Sequence, residues 1–534
     1  MIRKIIVIIL LLSAGYIQLD GQSRTIRQAR NHIDAERYLD AIELLQPLFR
    51  AESVPDEVYL VAGIAYLNIP GGAETAMELL TVAKQNTPFE RRPSQQAIES
   101  RFYLGQAYHL LYRFDDAIKI YDYLLENVRS SQSEIIDAIN RERNYSINAI
   151  ELIKNPVNFD ITSLGRAINT PFDEHSPVVS LDESSIFFTS NRPQQDMEDQ
   201  DGRYFEGIYV SHWRNGAWTS AERLELPGLY FGNRATASVS ADGQTLIFFQ
   251  NDGMIGNLYQ TRFRFGEWGE PEPFPLPINS QFNETHASLS PDGNTIFFVS
   301  DRPGGFGGKD IYISHRLPDG TWGEPINAGP NVNTPYDEES PHIHADGQTL
   351  YFASEGHNSM GGFDIFRSTL NEKGEWGKAE NLGYPINTPD DDLFYIPTPD
   401  GQRVYYSSRQ PEGMGATDIY LISFPADDDR SLAVLASHIY TPGNKPAIDC
   451  IVRIYDVETN MIQGVYRPNS LSGKFVAVLP AGRRYRLEME LEGFKTHTDE
   501  INIPLRDVYG TRNRAFYIQP VTLQKSPEAS VKND

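Results

Sequence analysis

One sequence block recurs in register through the middle of the chain and dictates its architecture. It reads Ser240-Ala241-Asp242-Gly243-Gln244-Thr245, Ser290-Pro291-Asp292-Gly293-Asn294-Thr295, Ala345-Asp346-Gly347-Gln348-Thr349 and Pro399-Asp400-Gly401-Gln402, with Asp-Gly steps of 50, 54 and 54 residues (242, 292, 346, 400). An earlier copy, Ser180-Leu181-Asp182-Glu183-Ser184-Ser185, has no glycine, and Trp218, Trp268, Trp322 and Trp376 keep the same register downstream. In the fourth copy, Glu339 to His344 predicts a first strand. Asp346-Gly347 is a tight turn that needs positive φ, and Leu350 to Ser354 is a second strand buried on both faces. Phe363 to Ser368 gives a third strand and Trp376 to Leu382 an outer one. Four-stranded units of this period are propeller blades.

Five copies lie between 158 and 424. The fifth lacks a Trp-led outer strand after Tyr420, whereas Asn158 to Gly165, followed by Ile168-Asn169-Thr170, supplies one ahead of the first copy. Segment 158–165 is therefore expected to complete the last blade and close the ring, which removes two sheet edges.

Residues 24–155 read as paired helices. Tyr38-Leu39-Asp40-Ala41-Ile42 echoes Phe114-Asp115-Asp116-Ala117-Ile118, and Leu60 to Tyr66 echoes Tyr103 to Tyr108, with Gly63 and Gly105 at the points of closest approach. This resembles the tetratricopeptide pattern. Gln85 to Ser100, with Pro88 and Pro93, is expected to be an insertion, and a last helix is capped by Ser133. Tyr66, Tyr103 and Tyr108 are read as repeat core.

Ahead of these helices, Arg3 and Lys4 precede the apolar run Ile5 to Leu12, the pattern of an export signal spanning residues 1–21. No cysteine lies near Gly21, so a lipoprotein anchor is not expected, and no later apolar stretch reaches membrane-spanning length. The sole cysteine, Cys450, alternates with Val452 and Ile454 and is read as a buried hydrophobe; a disulfide or Cys-based metal site would need more. A formal charge of −25 argues against nucleic-acid or anionic-lipid partners. Residues 431–520 alternate as strands with turns at Pro442-Gly443-Asn444, Ser472-Gly473 and Pro480-Ala481-Gly482, a small β-sandwich. Segment 521–534 is expected to be a disordered tail.

The Ser-Pro-Asp-Gly, Phe-Phe-x-Ser-Asp-Arg (297–302) and Asp-Ile-Tyr (310–312, 418–420) motifs resemble the WD40-like repeats of TolB-type periplasmic propellers. Residues 473–494 resemble the carboxypeptidase regulatory-like, transthyretin-type sandwich. The order of signal, helical repeats, five blades and sandwich resembles the PorE-type envelope proteins of Bacteroidetes. That resemblance implies residence in the periplasm, outer-membrane association and a link to type IX secretion. The family's OmpA-like peptidoglycan-binding domain has no counterpart before Asp534, so direct peptidoglycan anchoring is not expected.

Candidate chemistry centres on the channel. His342 and His344, at i and i+2, predict a shared strand face; with Glu338 and Glu339, and with His175 and His286 at similar depth, they are the candidate metal ligands. Asp173, Glu174, Glu284, Asp337 and Asp390-Asp391-Asp392 form a ring of acids able to offer Ca²⁺ oxygen ligands. Their repetition in most blades points instead to blade architecture, and no catalytic residue is assigned. The expected function is a non-catalytic scaffold binding other envelope proteins through its helical groove and propeller faces. Alternatives are a glycan- or peptidoglycan-binding module and, behind it, a propeller glycoside hydrolase.

Overall fold

The computed structural model describes residues 21–51, 54–89, 93–193, 204–228, 232–241, 243–251, 255–264, 266–410, 413–425, 432–505 and 515–526. The export-signal segment lies outside them, save Gly21, where the first helix begins.

Among the described residues seven α-helices come first: α1 (Gly21–Asp34), α2 (Tyr38–Leu45), α3 (Asp56–Leu67), α4 (Ala73–Asn86), α5 (Gln95–Leu110), α6 (Phe114–Asn127) and α7 (Ser133–Leu152). The two glycines do what their positions predict. A Cβ on Gly63 would come within 2.6 Å of Leu80 on α4, and one on Gly105 within 2.5 Å of the Tyr121 ring on α6. Each pair of helices thus approaches at a point where a side chain has no room. Ala41, Ala117 and Tyr103 are buried, while Tyr66 and Tyr108 lie half-buried against the cores. Two expectations shift. The insertion shrinks because α5 already starts at Gln95, capped by Ser94, whose Oγ accepts the Ala97 N–H at 3.2 Å. Gln132, not Ser133, is the N-cap of α7, and it makes no side-chain capping bond.

Among the described residues, the central region forms five antiparallel sheets of a β-propeller. Inner strands are Glu174–Val179, Arg234–Val239, Glu284–Leu289, Glu338–Ile343 and Leu393–Pro397. Closure occurs as the sequence indicated. Asp160–Ser163 pairs with Asp418–Ser423, Ile161 opposite Ile422, and becomes the outer strand of the fifth blade. The outer strands are shorter than expected: in the fourth blade only Glu380–Asn381 pairs, and Trp376 makes an isolated bridge to Leu370. Every inner strand carries a register shift, as between Glu339 and His342. Such bulges sharpen the bend of a strand beside a narrow axis.

The last unit stacks two sheets over one core. Leu432–Thr441 and Lys474–Pro480 pair in one, Ile451–Asp456 and Arg483–Glu490 in the other, and Leu435, Val452, Phe475 and Leu487 meet between them. Strands Ile462–Tyr466 and His497–Ile503, at the edges of the second sheet, were not read from the sequence. The tail is ordered further than expected. Val521–Thr522 lies parallel to Ile439–Tyr440 and Leu523 is buried, because two alternating apolar side chains complete the core. Residues 527–534 lie outside the described set.

Candidate functional site

The acids flagged in the sequence are engaged in holding blades together. Glu174 accepts Thr170 N–H (2.7 Å) and Oγ1–H (2.6 Å), the Ser190 hydroxyl (2.8 Å) and the Arg192 guanidinium (3.1 Å). Glu284 repeats this with Ser280, Ser300 and Arg302. Glu338 keeps Thr334 and Ser354, and Asp392 accepts Thr388 N–H at 2.5 Å. One residue earlier, a second set bridges neighbouring blades. Asp173 accepts from Thr417 N, Asn233 from Glu206 N, Asn283 from Gly256 N, Asp337 from Lys309 N and Asp391 from Phe363 N, all at 2.9–3.1 Å. These bonds run once around the ring. Repetition of the acids is therefore the signature of a fold, because each blade has the same backbone donors to satisfy.

The fourth blade departs from this pattern. Where the third has Asp301-Arg302, it has Glu355-Gly356, and among the described residues no arginine bonds Glu338. His357 fills the place of the guanidinium. Its Nε2 meets Val332 O at 2.9 Å and its ring lies 5.1 Å from Phe366, as Arg302 meets Ile278 O and lies over Tyr312. Glu338 is wholly buried with no cation paired to it among the described residues, and burial pushes its carboxyl up to about 8.

The metal candidates are not brought together. Glu338 faces Thr334 and Ser354 inside its own sheet. Glu339 faces the channel, where burial opposes its charge but His286 (2.5 Å) and Lys309 hold its carboxyl down at about 2. His344 turns to Asp346 (3.1 Å) and to Thr398 O (3.2 Å). His342 lines a cavity of about 60 Å³ at the hairpin end of the channel, walled by Val239, Leu289, Ile343 and Ile396. The i, i+2 spacing placed both histidines near one end of the strand, but the bulge after Glu339 and the turn at Asp346 give them different partners. Among the described residues no three His, Cys, Asp or Glu are placed to hold a metal ion. His175 and His286 instead flank Phe394, at 5.8 and 5.4 Å between ring centroids, and His175 also meets Glu206 at 3.1 Å. Phe394 sits at φ +59°, a strained conformation for an aromatic residue.

Sequence reasoning missed the two docking faces. At the end where inner strands begin, α7 lies on the fourth blade's loop 355–363. Arg141 pairs with Glu355 at 3.3 Å, Tyr145 donates to Glu355 O at 2.7 Å and Asn148 to Ser359 O at 2.9 Å. His109 bridges Ser146 and Met360 O, and Met360 is buried against Phe114 and Ala149. At the opposite, hairpin end the sandwich meets the first blade. Lys474 pairs with Asp182, and Leu181 packs against Val434, Ala436 and Val476. The departures Glu355-Gly356 and Asp182-Glu183 from the repeat were the available signals.

No protein-family model matches the chain, and no curated protein matches it. Among solved structures it is similar to TolB from Acinetobacter baumannii, at 16% identity and TM-score 0.32 over 56% of this chain and 71% of that one. It is also similar to RS223-β-xylosidase, at 13% identity and TM-score 0.33 over 50% of this chain and 96% of that one. A third is α-L-arabinofuranosidase from Lactobacillus brevis, at 14% identity and TM-score 0.26 over 38% and 73%. The likeness is one of β-propeller fold and bears on no activity.

Proposed function

We propose that this chain is a non-catalytic scaffold of a bacterial envelope, exported to the periplasm, that gathers other envelope proteins on its surfaces. The observation that carries the reading is the pair of docking faces. Helices and sandwich are fixed to opposite ends of one propeller by partly or wholly buried polar contacts, so three unlike surfaces are offered in series. In this reading the helices are tetratricopeptide-like and the sandwich is of the transthyretin type. In this reading, which takes up the PorE-type resemblance of the sequence, the partners are outer-membrane or type IX secretion components. Several modest contacts linked in this way gain avidity through effective concentration. In-cell crosslinking with mass-spectrometric identification tests it: outer-membrane or secretion proteins are expected, and their absence would end the proposal. Retention on peptidoglycan or polysaccharide by a chain lacking the helices would favour a glycan-binding role instead.

A further inference from the structure

The third and fourth blades present the same ten-residue loop, Asp301–Asp310 and Glu355–Asp364, in two different states. In both, a closing aspartate accepts the N–H of the apolar residue at the tip, Phe306 N to Asp310 at 2.8 Å and Met360 N to Asp364 at 2.9 Å. In both, a glycine packs on the backbone ahead of the next inner strand. A Cβ on Gly307 would lie 1.9 Å from Tyr336 O, and one on Gly361 2.5 Å from Thr388 O. In the fourth blade the loop is covered by helix. Met360 is 0% exposed, and Ser359, Gly361 and Gly362 are buried with it. In the third blade none of the described residues covers the loop: Pro303, Gly304 and Gly305 are exposed, and Phe306 is 48% exposed. Tyr336, 38% exposed, lies beneath Arg141 of α7 at 5.5 Å, so this surface continues directly from the existing helix–propeller interface.

We propose that the third-blade loop, with Phe306 and Tyr336, is a docking platform for an α-helix of a partner protein, recognised as α7 is recognised one blade away. The chemistry of that helix follows from the occupied copy. On α7, Arg141, Tyr145, Asn148 and Ala149 share one face. They supply a cation for the acid that opens the loop, two donors for loop carbonyls, and a small residue that lets the tip side chain in. Asp301 stands where Glu355 stands; its carboxylate accepts Asn283 N–H at 2.8 Å and Nδ2–H at 2.7 Å and has further lone pairs for a cation, and the glycine-rich tip leaves its backbone open to donors. The partner helix should therefore carry Arg or Lys, a hydroxyl or amide donor and Ala or Gly at i, i+4 and i+7/i+8. Helix-in-groove recognition works through such spaced anchors. This inference rests on the scaffold reading and names the partner chemistry at one of its surfaces.

The test uses the full-length protein, whose own α7 occupies the fourth blade, and a fluorescent, hydrocarbon-stapled peptide of residues 133–152 as probe. Saturable binding is expected, weakened at least tenfold by Phe306→Asp and unaffected by Leu276→Asp, an exposed apolar site elsewhere on the propeller. Replacing Ala149 of the peptide by Arg should abolish binding. No saturable binding, or binding indifferent to Phe306→Asp, overturns the platform. Neither result touches the in-cell crosslinking outcome, so failure of the platform and failure of the scaffold reading stay distinguishable.

Discussion

Glu183 of the first blade accepts the Tyr405 hydroxyl of the fifth at 2.8 Å. Its other oxygen pairs with the Arg403 guanidinium at 2.6 Å. This is the copy of the repeat that lacks the turn glycine, and Glu183 keeps the glycine's backbone conformation at φ +53°. A strained residue stands there because its carboxylate joins the two ends of the ring, opposite the mouth where Asp173 accepts the Thr417 N–H.

Glu183→Gly restores the turn's preferred residue and should still destabilise the protein. Relief of a left-handed residue is worth about 1 kcal/mol, whereas a largely buried guanidinium, 13% exposed, stripped of its partner costs up to roughly 3–5 kcal/mol. Asp400, 3.8 Å from Arg403, softens the loss. Urea unfolding should show a net decrease of about 1–4 kcal/mol, and an increase in midpoint would refute the lock.

Glu338 makes stability depend on pH in a defined sense. Its folded carboxyl, raised by burial to about 8, holds its proton where the unfolded one has lost it. The contribution is complete at acid pH below the ordinary carboxylate range and fades as pH climbs to about 8. Glu338→Gln keeps an acceptor for Thr334 N–H and donates to the Thr334 and Ser354 hydroxyls, so it should match the parent near pH 5. At pH 8 it should exceed the parent by on the order of a few kcal/mol. Glu284→Gln should instead lose about 1–3 kcal/mol, because the partly buried Arg302 loses its carboxylate and keeps only Ser300 Oγ, Pro277 O and Ile278 O. Equal pH slopes for Glu338→Gln and the parent would count against a protonated Glu338.

The α7 face can be loosened without touching the propeller core. Arg141 and Glu355 are 15% and 17% exposed in their side chains, so Arg141→Ala should cost about 2–4 kcal/mol. The loss should appear as faster proteolysis between α7 and the first blade while the propeller's own unfolding is unchanged. Proteolysis at the parental rate would mean that this ion pair does not hold the helices in place.

Cys450 is 0% exposed, and burial pushes its thiol up to about 11. It should resist a thiol reagent at pH 8 in the folded protein and react once denatured. Rapid labelling of the native chain would place it outside the sandwich core.

The blades were legible because most of them repeat local information: an Asp-Gly turn in four, a second strand with an apolar centre in all, and an Asp-led third strand in the last three. Gly63 and Gly105 were legible for a similar reason, since a missing side chain in an aromatic-rich helix marks a close approach. The short extent of the Trp-led outer strands and the edge strands Ile462–Tyr466 and His497–Ile503 were not. Their residues are largely exposed, so no buried face imposes a pattern on them. The channel histidines were found as a group, but their partners were not. Bulges re-aim side chains in a way that a two-residue period cannot express.

Sequence by itself determined the number of blades, the strand that closes them and the helical and sandwich character of the flanks, because turn chemistry and apolar periodicity act over a few neighbouring residues. Tertiary structure alone decided what the odd copies are for. Glu183 meets residues more than two hundred positions away, and Glu355 meets a helix of another unit. Such pairings depend on which surfaces the closed ring brings within hydrogen-bonding distance, and no local pattern encodes that distance.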